Sequence, residues 1–191
     1  MSLNHTVKRI FFAVKLYPDQ NFSAYLRRIR ECLKDERIRW TKEENLHLTL
    51  RFIGDHENSG IPLISGNISQ IALKTHGFKL KVQGLGIFRS LSYPRVLWTG
   101  IDKNNELCVL KKEIDEKLNT LGFNYSSENF TPHLTLGRMK RINDKEQITK
   151  LIHEYQDQIL MESDVESIIL FESLLKPEGP IYRPLDEYFF R

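Results

Sequence analysis

The chain has 191 residues, of which 40% are hydrophobic and 28% charged, and its formal net charge is +3 at pH 7. This length allows one ordinary domain or two closely packed lobes, and the composition is typical of a soluble globular protein. The slight positive charge excludes neither nucleic acid nor small anions, but the chain lacks the long Lys/Arg stripe of a duplex-coating protein, so a small phosphorylated ligand or a short RNA end suits it better than a long duplex.

The hydrophobic pattern of the chain and its cysteine usage predict a cytoplasmic protein. No apolar run approaches the ~20 residues needed to cross a bilayer, and residues 1–9 lack the basic start and apolar middle of a signal peptide. Cys32 and Cys108 are isolated in helix-like, charge-rich stretches, so they predict neither a disulfide framework nor a C-x-x-C site. We expect two buried, unreactive thiols and no association with a membrane.

In the first half of the chain, β-branched or alternating apolar residues predict strands, and apolar residues at helical spacing predict helices. The predicted elements are, in order, a strand over 9–16, a helix from Asp19 to about Lys34, strands over 38–40 and 46–54, a helix over 60–74, and strands over 78–82 and 95–101. Pro62 and Gly66 leave the start of the helix over 60–74 undefined.

The second half repeats this plan. The predicted elements are a helix that begins at Asn104 or Asn105 and is ended by Gly122, a strand over 133–137, a helix from Lys145 to about Gln158, and strands over 167–173 and from Tyr182 onward. Because strands often follow strands directly, the order favours an α+β fold with antiparallel sheets.

One tetrapeptide, His-Leu-Thr-Leu, occurs at positions 47–50 and again at 133–136. Strand side chains alternate between faces, so in each copy the histidine and threonine share one face and both leucines point into the core. A phosphate group fits between two such pairs if their strands meet about a pseudo-two-fold axis.

These residue types suit phosphoryl chemistry. Displacement at phosphorus near pH 7 needs a base for the attacking hydroxyl and an acid for the departing oxygen, and histidine performs either role. His47 and His133 on opposite sides of one phosphorus allow in-line attack. Thr49 and Thr135 can donate to the non-bridging oxygens, where one preorganised donor is worth about 3 kcal/mol in the transition state.

Two other interpretations compete with acid–base catalysis. A single H-x-T in a strand is usually structural, but a polar face on two otherwise apolar strands must meet water, its counterpart or a ligand. Metal binding is disfavoured because threonine is a poor ligand and no H-x-x-H or carboxylate accompanies the pair. The remaining histidines also lack ligand spacing: His5, His56, His76 and His153.

With both motifs in their flanks, the chain resembles the two-histidine (2H) phosphoesterase superfamily. It is most similar to the RNA 2',3'-cyclic phosphodiesterases, historically called 2'-5' RNA ligases. The resemblance covers nearly the whole chain and rests on residues 9–14, 44–55, 86–88, 94–100, 130–138, 170–173 and 179–182. It implies one bilobal α+β domain over 1–191, with two pseudo-two-fold-related lobes, mostly antiparallel sheets and outer helices around a central cleft.

The resemblance also implies an activity. His47 protonates the departing 3' oxygen, His133 activates water, and Thr49 and Thr135 hold the phosphate, so that a 2'-phosphomonoester results. Run in reverse, the same site joins a 2',3'-cyclic phosphate end to a 5'-hydroxyl. The expected partners are RNA ends or nucleoside 2',3'-cyclic phosphates, acted on by a monomer without metal or cofactor.

Two arginines are candidate phosphate ligands. Arg138 follows the second motif as in the family pattern, but strict alternation places it on the face opposite His133 unless Gly137 hosts a bulge. Arg51 shares the face of His47 and Thr49 under strict alternation. Three aromatic residues either stack on a base or belong to the core: Phe12, Phe52 and Tyr182.

A second class of function is a nucleotide-binding module that keeps the cleft without turnover. Two intact motifs favour catalysis over this interpretation, because pure binding can dispense with one histidine. Within the enzyme class, another cyclic or 2'-5' linked nucleotide is the alternative substrate.

Overall fold

Nine strands form one antiparallel sheet in the computed structural model, which describes residues 7–123, 130–177 and 179–191. The strands are β1 (Val7–Lys15), β2 (Ile38–Trp40), β3 (His47–Glu57), β4 (Phe78–Arg89), β5 (Pro94–Ile101), β6 (His133–Met139), β7 (Ile159–Val165), β8 (Ser167–Lys176) and β9 (Gly179–Phe189). Their order is β7-β4-β5-β6-β3-β1-β8-β9, and β2 pairs with the second half of β6.

Four helices cover this sheet in the described part of the chain. They are α1 (Gln20–Cys32), α2 (Ile61–Ala72), α3 (Asn105–Thr120) and α4 (Lys145–Tyr155). The side chains of Asp19, Asn104 and Asp144 cap α1, α3 and α4 by accepting a hydrogen bond from a backbone N–H in the first turn. Each cap supplies a partner for an N–H that the helix itself leaves unpaired.

The helices divide the fold into two lobes. In the first lobe, α2 and α3 pack on β3, β8 and β9, whereas in the second lobe α1 and α4 pack on β7 and β4. Thus α1 follows a strand of the first lobe and packs on the second, and α3 does the reverse. The predicted bilobal α+β fold with outer helices is confirmed.

The lobes join where β3 meets β6, through the pair Leu48 and Leu134. Since the strands are antiparallel, this register puts His47 across from Thr135, and Thr49 across from His133. Both leucines are buried, and they lie close to the pseudo-two-fold axis between the lobes. The two predicted H-x-T pairs therefore meet at the centre of the sheet.

A β-bulge lies at the same place in both copies of the motif. The pairing of β3 with β1 skips Leu50, and the pairing of β6 with β5 skips Leu136. An extra residue reverses the alternation beyond it. Beyond each bulge, a side chain that strict alternation places on the face of the motif histidine points to the opposite face, and the reverse. This changes the predicted faces of Arg51 and Arg138.

Several predicted boundaries shift. Pro62 lies in the first turn of α2, where a missing N–H costs nothing, so this helix begins at Ile61. The last helix ends at Tyr155 instead of about Gln158, and β7 after it was missed, because Ser163 occupies one of its inward positions among polar neighbours.

The expectation of two buried thiols is wrong. Cys108 is exposed on α3 and Cys32 is half-buried at the end of α1. The described helices include none that is long and apolar enough to cross a membrane.

Candidate active site

The two motif pairs line one cavity of about 1120 Å³ between the lobes. His47 and Thr49 reach it from β3, and His133 and Thr135 reach it from β6. All four side chains are half-buried, so they are partly shielded from water and still accessible to a ligand. The structure thus brings together the four residues that the repeat singled out.

Both imidazoles are oriented in the same way. His47 Nδ1 lies 2.7 Å from the carbonyl oxygen of Asn45, and His133 Nδ1 lies 2.8 Å from that of Thr131. A carbonyl oxygen only accepts, so Nδ1 carries the proton and donates it in each ring. In the neutral form Nε2 therefore holds the lone pair, and in the cation it holds the second proton.

Aromatic rings surround His47. The ring centroids of Tyr182, Phe11 and Phe171 lie 4.8, 5.1 and 6.1 Å from that of the imidazole. Burial among these rings lowers the pKa of His47 to about 4, since a cation there loses its hydration. The nearby His133 and Arg138 lower this pKa further, whereas the hydrogen bond to Asn45 opposes the shift.

In the part of the chain that the structure describes, His133 has one aromatic neighbour. Phe88 meets its ring edge-on at 4.6 Å and itself packs against Trp98 at 5.3 Å. Burial again lowers the pKa of His133, and the positive charge of Arg138 adds to the effect, against the hydrogen bond to Thr131. Both rings of the ligand-free protein are consequently neutral near pH 7.

Arg138 lies in the cavity with the two motif pairs. The bulge at Leu136, one residue before the predicted Gly137, turns its exposed side chain to the face of His133 and Thr135. Burial raises the pKa of the Tyr182 phenol, and the positive charge of the nearby Arg138 opposes that rise. A guanidinium beside both histidines supplies a planar donor for an anion.

Comparison with known protein families matches one family model to each half of the chain. The model of the LigT-like phosphoesterase family matches residues 16–98 and again 100–182. The chain belongs to the LigT-like phosphoesterase family. The two matches correspond to the two halves of the repeat, and the resemblance noted in the sequence is confirmed.

Individual LigT-like relatives cover most of the chain. The RNA 2',3'-cyclic phosphodiesterase of Methanocaldococcus jannaschii is 34% identical over 180 residues, which cover 94% of this chain and 99% of the relative. That of Thermotoga maritima is 36% identical over 151 residues, 79% of each chain. The fold also matches E. coli LigT complexed with 3'-AMP, with a TM-score of 0.79 and 22% identity over 97% of this chain and 99% of LigT.

Arg51 does not join the LigT-like site. The bulge at Leu50 turns its side chain away from the cavity and into the space below α3, where it is 4% exposed. There the guanidinium donates to Asp115 at 2.8 Å, to Asn119 at 3.2 Å and to the carbonyl of Phe123 at 2.5 Å. The prediction that Arg51 shares the face of His47 was wrong because it assumed unbroken alternation.

The predicted aromatic residues divide between core and site. Phe12 is fully buried in the core, whereas Phe52 and Tyr182 line the cavity. Sequence reasoning missed a set of basic side chains around them, which come from four separate elements or connections: Arg9, Arg39, Lys42 and Lys176. Among the described residues that line the cavity, these four and Arg138 outnumber the one carboxylate, Glu44, so the lining that they form is electropositive.

The described residues include no group of three or more His, Cys, Asp or Glu side chains placed to hold a metal ion.

Proposed function

We propose that the protein is an RNA 2',3'-cyclic phosphodiesterase that opens the cyclic phosphate at an RNA 3' end and yields a 2'-phosphomonoester. The observation that carries the proposal is the meeting of two H-x-T pairs in one electropositive cavity. The names of the LigT-like relatives at 30–36% identity support the same substrate class.

The proposed reaction is an in-line displacement at phosphorus. His133 accepts a proton from water through Nε2 as the water oxygen bonds to phosphorus. The bond from phosphorus to the 3' oxygen breaks, and His47 donates the proton of its Nε2 to that oxygen. One proton enters the site on His133 as another leaves from His47, and exchange with solvent restores both rings.

The different surroundings of the two rings support this assignment. His47 lies among three aromatic rings, so its cation is a strong acid suited to an alkoxide leaving group. His133 is packed against one described aromatic ring, that of Phe88, which suits a base that acts on water. An anionic phosphate between them raises both pKa values, because a negative charge nearby favours the imidazolium.

Thr49 and Thr135 are proposed to donate to the non-bridging oxygens, and Arg138 to bind the phosphate as its charge develops. None of these steps requires a cofactor. Because each lobe supplies one histidine and one threonine, we propose that residues 1–191 act as one domain. Reversal of the same steps would give 2'-5' ligation to a 5'-hydroxyl.

The proposal is tested by product analysis. An oligoribonucleotide ending in a 2',3'-cyclic phosphate is incubated with protein in excess chelator, and the products are separated from synthetic 2'- and 3'-phosphate standards. The wild type is expected to give the 2'-phosphate. His47→Ala and His133→Ala serve as controls for contaminating nuclease.

Equal product rates for wild type and His47→Ala would overturn the proposal. Binding without turnover would instead identify a nucleotide-binding module. A 3'-phosphate product would retain the enzyme but reverse the assignment of the leaving oxygen.

A further inference from the structure

We propose that Arg9 and Phe52 form a subsite for the nucleotide that precedes the cyclic phosphate end, so that the enzyme prefers an RNA chain to a mononucleotide. The inference rests on the proposed function and names its substrate more closely. It starts from the position that Phe52 occupies in the pseudo-symmetric site.

Phe52 is the counterpart of Arg138. Each follows its motif threonine by three residues and lies beyond a bulge at the second leucine, so both face the cavity. The first lobe thus presents an aromatic ring where the second presents a guanidinium. At about 3.3 Å per residue, Phe52 lies about 10 Å beyond Thr49 along β3, a distance suited to the neighbouring nucleotide.

Arg9 brings a cationic group to this ring. Its guanidinium carbon lies 4.8 Å from the ring centroid of Phe52, and its side chain is 43% exposed. The nearest carboxylate, that of Asp55, is 3.9 Å away and 68% exposed, which is a weak and solvent-screened ion pair. The guanidinium can therefore exchange this partner for a phosphodiester.

The exposed ring is difficult to explain by packing. Phe52 keeps 41% of its surface exposed inside a cavity, although full burial of such a side chain is ordinarily favourable. An aromatic face beside an arginine is the usual way in which proteins hold unpaired bases and their backbone. Sequence-tolerant stacking of this kind suits an enzyme that acts on chain ends.

The cavity has room for more than one nucleotide. Its volume of about 1120 Å³ exceeds the ~300–1,000 Å³ of an ordinary small-molecule site. Arg9 and Phe52 belong to β1 and β3, the lobe of His47. The proposed mechanism puts the ribose whose 3' oxygen separates from phosphorus in the same lobe, beside His47, so the preceding nucleotide continues along it.

The test compares two substrates in matched variants. kcat/KM is measured for a nucleoside 2',3'-cyclic phosphate and for a dinucleotide with the same terminal group, in wild type, Phe52→Ala and Arg9→Gln. Phe189→Ala is the control, because Phe189 is 65% exposed and does not line the cavity. We expect the wild type to favour the dinucleotide by roughly tenfold, and both site variants to lose most of this preference.

Two results would overturn the subsite: a wild type without preference for the dinucleotide, or site variants whose preference equals that of Phe189→Ala. If the wild type hydrolyses neither substrate, the proposed function fails instead. The subsite is then decided by affinity for the 2'-phosphate dinucleotide relative to the 2'-phosphate mononucleotide. A ratio that is unchanged in Phe52→Ala and Arg9→Gln would reject it, and a lowered ratio would retain it.

Discussion

The two copies of His-Leu-Thr-Leu have the same backbone geometry and different surroundings. Each histidine donates through Nδ1 to a carbonyl two residues earlier, and each strand bulges at the second leucine. Yet, among the described residues, three aromatic rings surround His47 and one contacts His133. A repeated motif thus determines where the groups lie, and its neighbours determine how each group titrates.

The lobes diverge again directly after the motif. In the first lobe the residue that turns inward is Arg51, and the one that returns to the cavity is Phe52. In the second lobe these places belong to Gly137 and Arg138. Position 137 has no room for a side chain, because a Cβ there would approach Ile38 Cγ2 to 2.5 Å. At this place one lobe therefore carries an aromatic ring and the other a positive charge.

The largest expected effect comes from removing either imidazole. His47→Ala and His133→Ala should each lower kcat/KM by about 10³–10⁴-fold, because acid and base act in one transition state. The double variant should lose little more, since groups that act as a unit are not additive. Steady-state kinetics on a cyclic-phosphate-ended oligonucleotide checks this.

Unequal losses of kcat/KM in His47→Ala and His133→Ala would show that the two lobes contribute differently to catalysis. A His133→Ala variant that keeps more than a tenth of wild-type kcat/KM would contradict a paired mechanism and leave His47 as the one essential group. Tyr93→Ala, on an exposed aromatic side chain outside the cavity, is a suitable control.

The threonines should matter less. Thr49→Val and Thr135→Val remove a hydroxyl and keep the shape, and each should lower kcat by roughly 100-fold with a smaller change in KM. Equal effects would indicate that the two lobes hold the phosphate symmetrically. An increase in KM at constant kcat for either variant would assign that hydroxyl to ground-state binding instead.

The pH dependence of kcat/KM tests the difference between the histidines. The proposed mechanism requires His47 to be protonated and His133 to be neutral in the free enzyme. The pKa of His47 is about 4, and that of His133 lies below its usual 6.5. Activity should fall in acid as His133 gains a proton, and fall with rising pH as His47 loses one. We expect a bell with its maximum below pH 6.5, and kcat/KM at pH 5.5 roughly tenfold or more above that at pH 7.5.

Opening the aromatic enclosure should move this profile. Phe11→Ala admits water to His47, which weakens the desolvation that lowers its pKa, so the alkaline limb should shift to higher pH. Phe88→Ala should instead shift the acid limb, since it exposes His133. Profiles that move together in both variants would contradict separate titration of the two rings.

The motif residues of this site could be predicted from the sequence, but their surroundings could not. Alternation in the motif strands identified that His47 shares a face with Thr49 and His133 with Thr135, because that period follows from strand geometry alone. Alternation failed at Arg51, since nothing local in the strand signals a bulge at Leu50. The basic side chains that line the cavity were missed for another reason. Arg39 and Lys176, for example, reach it from elements that only the tertiary fold brings together.

Replacement of Arg51 should affect stability far more than activity, which is the smallest effect on catalysis expected here. Its buried guanidinium compensates Asp115 and binds the carbonyl of Phe123, and Lys111 also pairs with Asp115. Arg51→Met leaves these acceptors partly unpaired and should lower the free energy of unfolding by about 3 kcal/mol, the scale for breaking a buried pair. Because the side chain points away from the cavity, kcat/KM of the folded protein should stay within about threefold of wild type. Urea unfolding together with kinetics below the transition separates the two quantities. A loss of kcat/KM near that of Thr49→Val, with unfolding unchanged, would return Arg51 to the site and contradict the bulge.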